Sequence, residues 1–93
     1  MPFAVVTLVS LEGRDITDAE KRLNENLVPM IKALPGFQSA RFLRSLDGKT
    51  GAGAVIFDTE ANAKAALGTM SANRPAELPP VVQSGVSEVI LEI

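Results

Sequence analysis

The sequence predicts an α+β domain with the element order βαββαβ. Three observations predict it. Apolar residues recur at helical spacing around Leu23 to Leu34, and a capped, alanine-rich segment from Glu60 to about Ala72 reads as a second helix. Four shorter segments, rich in β-branched or alternating apolar residues, flank them, and the middle two are joined by Asp47-Gly48, a strong hairpin signal. The first of these strands is apolar at both parities, which places it inside a sheet covered on both faces.

Taken in order, Phe3 to Leu11 is the first strand, with Thr7 and Ser10 among Phe3, Val5, Val6, Leu8, Val9 and Leu11. Glu12-Gly13-Arg14-Asp15 breaks the pattern as a loop. Thr17-Asp18-Ala19-Glu20 reads as a capping box, the Thr17 hydroxyl accepting from the Glu20 N–H while the Glu20 side chain reaches back. Leu23, Leu27, Met30, Ile31 and Leu34 then mark one face of an amphipathic helix. Pro29 removes the donor that the Glu25 carbonyl needs, so a kink is expected between Glu25 and Pro29. Pro35-Gly36 ends the helix.

Phe37 to Leu46 is the second strand. Thr50 to Phe57 is its return, with Gly51 and Gly53 marking a bulge or a close backbone approach. Asp58-Thr59 caps a second helix, Glu60 to about Ala72, alanine-rich with Leu67 and Met70 as its larger contacts. Asn73, at its end, suits a left-handed helix cap. Asn73 to Gly85, with Pro75, Pro79 and Pro80, reads as an irregular connection, and Val86 to Ile93 as the last strand. Glu88 and Glu92 would form the wet face of that strand or pair with arginines of a second subunit.

Right-handed crossovers place the first and third strands centrally, in the order 4-1-3-2, with both helices on one face. This is a ferredoxin-like, four-stranded antiparallel sheet. Its other face is left bare, yet the first strand is apolar on both sides. The economical cover is a second copy of the same sheet in a two-fold homodimer.

Ninety-three residues make one domain, 1–93, and a chain of this size buries only roughly 60–65% of its unfolded surface. Against that thin core the composition is 46% hydrophobic, which again points to surface that a partner covers. The net charge is −2, with Lys and Arg scattered, so no basic face for nucleic acid is visible. With no Cys there is no disulfide, thiolate nucleophile or Cys-ligated metal. With no His, serine-triad chemistry lacks its base. Gly48, Gly51 and Gly53 fall in a hairpin rather than between a strand and a helix, so they form no phosphate-binding loop. No charged, apolar leader and no membrane span is seen, and a cytoplasmic protein is expected.

Pro35-Gly36-Phe37 after an amphipathic helix, Leu43-Arg44-Ser45 running into Asp47-Gly48, and Val55-Ile56-Phe57-Asp58-Thr59-Glu60 leading into an alanine-rich helix resemble the dimeric α+β barrel superfamily. The nearest branch is the antibiotic biosynthesis monooxygenase-like proteins and the small uncharacterised bacterial proteins beside them. The resemblance spans nearly the whole chain and rests on structural motifs. It implies a homodimer whose two sheets pack into a barrel, each subunit keeping a cleft between helices and sheet. It further implies cofactor-independent oxygenation of quinol-like molecules, haem degradation, or isomerisation and decarboxylation. Absence of Trp, His and Tyr removes an axial haem ligand, an imidazole base and a phenol acid, so haem degradation is not expected.

The site expected is that cleft, walled by Leu23, Leu27, Phe37 and Met70, with no metal and no cofactor. Arg41 and Arg44 lie on opposite faces of the second strand. Arg41 shares parity with Phe37, which should face the helices, and is the cleft candidate: its guanidinium fork would hold a carboxylate, phenolate or oxyanion. Alternatively both arginine heads reach solvent or an interfacial carboxylate. Asn24, Asn26 and Asn62 are read mainly as exposed helix positions. The functional expectation is a homodimer binding a small apolar or aromatic molecule, with any catalysis cofactor-independent and monooxygenase-like. The alternative is a non-catalytic dimeric interaction or stress-associated module. A cleft filled by its own walls would favour the latter, and one of a few hundred Å3 the former.

Overall fold

In the computed structural model the strands form one antiparallel sheet in the order β2-β3-β1-β4, the predicted arrangement. Here β1 is Phe3–Ser10, β2 Phe37–Arg44, β3 Thr50–Phe57 and β4 Val81–Glu88. Residues 2–13, 21, 23–72 and 79–93 are described, Leu23 by its backbone alone. The Thr17 to Glu20 capping box and Asn73 lie outside the described residues.

The first helical segment is irregular where proline dictates it. Leu23–Leu27 is π-helical, followed by the short helix α1, Val28–Lys32. Pro29 offers no N–H, so the preceding turn has no regular i→i+4 ladder to join. The chain widens into a π stretch, one of the recognised ways a helix absorbs such a defect. The second helix, α2 (Glu60–Ala72), begins as its sequence requires. The Asn62 backbone N–H donates to Thr59 Oγ1 at 3.1 Å, and the Asn62 side-chain amide donates to Asp58 Oδ1 at 2.8 Å. Ala63, Ala66, Leu67 and Met70 share one face of α2 by helical spacing, and its alanines let the backbone approach the sheet closely.

The core is small. Val5, Val55, Phe57, Leu27, Ile31, Ala63 and Ala66 are buried together, with Phe3, Phe37, Ala40 and Val86 packed against them. Phe57, Ile31 and Val5 are its largest fully buried side chains. Each contributes roughly 1.5–3 kcal/mol by leaving water. The Phe37 ring meets that of Phe57 edge-on, centroids 6.4 Å apart and planes at 76°.

Two expectations about the strands are corrected. The first concerns β2. Its register to β3 runs Phe37↔Phe57, then Ser39↔Ile56 and Ala40↔Val55, so Gln38 is an extra residue in a bulge. Every side chain after it changes face. Ala40, Phe42 and Arg44 therefore share the helix-facing side with Val55, Gly53 and Gly51, while Arg41 stands opposite Ala54 on the other side. The second concerns β4, which occupies Val81–Glu88 rather than Val86 to Ile93. Pairing decides this. Val86 sits opposite Val5 and Glu88 opposite Phe3, the first residue of β1, so beyond Val89, whose N–H reaches the Pro2 carbonyl at 2.9 Å, little of β1 remains to pair with. Glu88 ends the strand and Glu92 lies past it, so the two do not form one strand face.

The hairpin turn between β2 and β3 follows its sequence signal. Asp47 Oδ1 accepts from the Ser45 hydroxyl at 2.6 Å and from the Lys49 N–H at 2.9 Å, while Gly48 takes φ of 74°. These two donors hold the Asp47 carboxyl below its ordinary value, the Ser45 hydroxyl being the larger cause.

Candidate functional site

The helix-facing side of the sheet reads as rows running across all four strands. One row is Ala40, Val55, Val5 and Val86, filled by core side chains. The next is Phe42, Gly53, Thr7 and Ser84, and the one after it Arg44, Gly51, Val9 and Val81. In those two rows β3 contributes only glycines, so the floor loses two side chains where the core would otherwise continue. A cavity of about 640 Å3 opens there. Its floor is made by these rows and Val55. The other walls are Asn24 and Leu27 of the π-helical stretch, Ile31 of α1, Leu67, Met70 and Ser71 of α2, and Pro79 leading into β4. Leu11, Leu43 and Ala52 also border it.

The sequence expectations divide over this geometry. Leu27 and Met70 are walls of the cavity. Phe37 is not: it stands at the opposite end of the sheet, locked edge-on against Phe57. Leu23 belongs to the π-helical stretch, and its side chain lies outside the described residues. Arg41 does not border the cavity; the bulge at Gln38 turns it onto the open face, where it is exposed. Among the described residues, the arginine that borders it is Arg44. Sequence reasoning missed Phe42, Thr7 and Ser84 as well. Gly51 and Gly53 were the available signal, since a close approach to β3 points to whichever side chains stand opposite them.

Chemically the cavity is an apolar container with a few polar groups: the hydroxyls of Thr7, Ser71 and Ser84, the amide of Asn24 and the guanidinium of Arg44. Arg44 and Asn24 each keep an interaction within the chain. Among the described bordering residues there is no carboxylate. Among the described residues no three potential ligands gather to hold a metal ion, and no helix is long and apolar enough to cross a membrane.

The opposite face of the sheet carries the row Arg41, Ala54, Val6 and Gly85, followed by Leu43, Ala52, Leu8 and Gln83. Val6 and Leu43 are exposed there, and nothing in the described chain covers them.

No protein-family model matches the chain, and no curated protein matches it. Solved structures do. SnoaB, a cofactor-independent oxygenase from Streptomyces nogalater, superposes with a TM-score of 0.77 at 14% identity, over 99% of this chain and 96% of that one. A monooxygenase from the gene ActVA-Orf6 of Streptomyces coelicolor, solved with the ligand Nanaomycin D, gives 0.70 at 16% identity over 99% and 90%. A candidate antibiotic biosynthesis monooxygenase from Bordetella bronchiseptica gives 0.67 at 14% identity over 97% and 98%. At such identities the likeness establishes a common fold.

Proposed function

Because this chain has the ferredoxin-like fold of the antibiotic biosynthesis monooxygenase-like proteins, we propose that it is a homodimer whose helix–sheet cavity binds a small apolar or aromatic molecule, with a cofactor-independent, monooxygenase-like reaction as its activity. The observation that carries this reading is the cavity of about 640 Å3 between Leu27, Ile31, Leu67 and Met70 on one side and the glycine-floored sheet on the other. Ligand sites usually fall between roughly 300 and 1,000 Å3, mostly apolar with few polar groups. A cleft filled by its own side chains would have supported the interaction module instead.

Without a cofactor, the electrons for oxygen must come from the substrate. A quinol-like molecule with an activated ring CH2 meets that demand: the CH2 becomes C=O, one O2 is consumed and one H2O leaves. The protein's part is to hold the ring in a dry apolar site and to orient its oxygens by the hydroxyls of Thr7 and Ser84. The exposed Val6 and Leu43 on the far side of the sheet support self-association through that face.

The test is a panel of neutral and acidic bicyclic and tricyclic phenols, titrated into the purified protein and followed by oxygen consumption. Saturable binding with oxygen uptake by a reduced member supports the reading. Binding without turnover leaves a carrier, and absence of binding across the panel leaves the second reading, a non-catalytic dimeric interaction or stress-associated module.

A further inference from the structure

We infer that Arg44 is the specificity-determining residue of the cavity and that it selects planar aromatic ligands bearing one ionised acidic oxygen group. This rests on the ligand-binding reading above and goes further, by assigning the charge of the ligand and the residue that reads it.

The sheet places an aromatic ring and a cation side by side. Phe42 and Arg44 both border the cavity, and they are two residues apart on the same face of β2. Strand geometry sets their Cα atoms about 6–7 Å apart. The long, flexible Arg44 side chain can span that separation to meet a substituent at the rim of a fused ring system lying against Phe42. A planar ligand lying against the Phe42 ring in offset fashion would therefore bring its acidic group to the guanidinium. Phe42 lies over Gly53, and Arg44 is paired with Gly51, whose own open side is filled by Val9 and Leu11, so β3 puts no side chain between either residue and a ligand on the floor.

The charge balance points the same way. Among the described residues bordering the cavity Arg44 is the only charged one, and the remainder are apolar or neutral polar. Among the described residues, an anionic group entering this cavity meets one cation and no carboxylate, whereas an ammonium meets that cation with no carboxylate to offset it. A guanidinium carries five N–H donors in a planar fork, so an interaction within the chain does not exhaust it. Carboxylate and phenolate are the planar oxygen anions that match that fork, and both share the chemistry inferred here.

The test is calorimetric titration with amide NMR on the intact protein, using naphthoate, its neutral analogue naphthalenemethanol, and an ionised nitronaphtholate as the phenolate source. The expected result is that naphthoate or nitronaphtholate binds about tenfold or more tightly than naphthalenemethanol, with shifts at Phe42, Thr7 and Ser84. Whichever anion binds more tightly identifies the oxygen source. Arg44→Gln should abolish that preference, bringing the anions down to the affinity of naphthalenemethanol for the same variant, and Arg44→Lys should restore part of it. Arg41→Gln, on the other face, should keep the preference intact. A preference that survives Arg44→Gln, or that vanishes with Arg41→Gln, overturns the assignment, as does equal affinity for anion and neutral analogue in the parent protein; in each of these cases the cavity still binds a ligand. Failure of every naphthalene compound to bind the parent protein overturns the ligand-binding reading itself, and the assignment with it.

Discussion

The ring of Phe42 lies so close over Gly53 that a Cβ built on Gly53 would stand 3.0 Å from its Cδ1 and 3.1 Å from its Cε1. Gly53→Ala therefore requires the ring to give by a few tenths of an ångström. Phe42 is 39% exposed, so it can swing without disturbing the core. Removing a glycine from a strand stabilises by a few tenths of a kcal/mol to about 1 kcal/mol, and crowding a ring that can yield costs a similar amount. Melting should thus change little, within about 1 kcal/mol. Affinity for an aromatic ligand should fall by about twofold to threefold as the new methyl and the shifted ring take up floor space. Unaltered affinity in a titration would remove Phe42 as a wall of the site.

Gly36 is a costlier case, because its backbone is left-handed and the side chains in the way can yield only by giving up the hydrogen bond between them. Its φ of 79° is in the left-handed region, and a Cβ there would collide with Asp58 Oδ1 and the Asn62 side chain. Those two groups form the 2.8 Å hydrogen bond beside the start of α2, and the Gly36 carbonyl accepts from the Asp58 N–H at 3.0 Å. Gly36→Ala incurs the left-handed penalty of about 1–2 kcal/mol, and the collision adds to it. Denaturant unfolding should show a loss of at least about 2 kcal/mol. A variant as stable as the parent would mean that this corner does not fix α2.

The turn carboxylate Asp47 gives the fold a small dependence on acid. Its folded-state pKa is depressed below the ordinary 3.8, first by the Ser45 hydroxyl and then by the Lys49 N–H. A depressed carboxylate contributes stability that is fully present above its unfolded value and is lost as pH falls through the folded one. The parent hairpin should therefore weaken only below about pH 4. Asp47→Ala should be less stable than the parent at neutral pH and should converge on it in acid. Urea melts at pH 7 and pH 2.5 read the difference, and a constant gap between the two proteins would contradict the assignment.

The features legible in the sequence were those with local chemistry. Asp47-Gly48 and Asp58-Thr59 each carry their own hydrogen bonds, so the hairpin and the start of α2 fall where side-chain chemistry puts them. Pro29 likewise announced a disturbed helix. What escaped was set by partners far along the chain. Nothing about Gln38 marks it as a bulge, yet that single extra residue carries Arg41 out of the cavity and Arg44 into it. The alternating Val89, Leu91 and Ile93 look like strand, but β1 begins at Phe3 and leaves them little to pair with. The walls on the helices, Leu27 and Met70, could be picked from periodicity, whereas those on β2 needed a register that only the folded sheet fixes.

That register also makes the open face separable from the core by mutation. Val6 lies opposite Ala54 on this face and is 38% exposed, while its neighbour Val5 is 1% exposed among the core side chains. A carboxylate at position 6 therefore reaches water in a lone subunit, and Val6→Glu should leave the fold intact. Arg41 is in the same row but two strands away, about 9–10 Å at the usual strand spacing, too far to neutralise the new charge directly. Sealed beneath a second sheet, the same carboxylate would lose its hydration without a partner, at several kcal/mol. In sedimentation the parent should be a dimer and Val6→Glu a folded monomer, the association weakened by about a hundredfold or more. A dimeric Val6→Glu protein would show that the subunits meet elsewhere, because no close apolar interface tolerates two such charges facing one another across a two-fold axis.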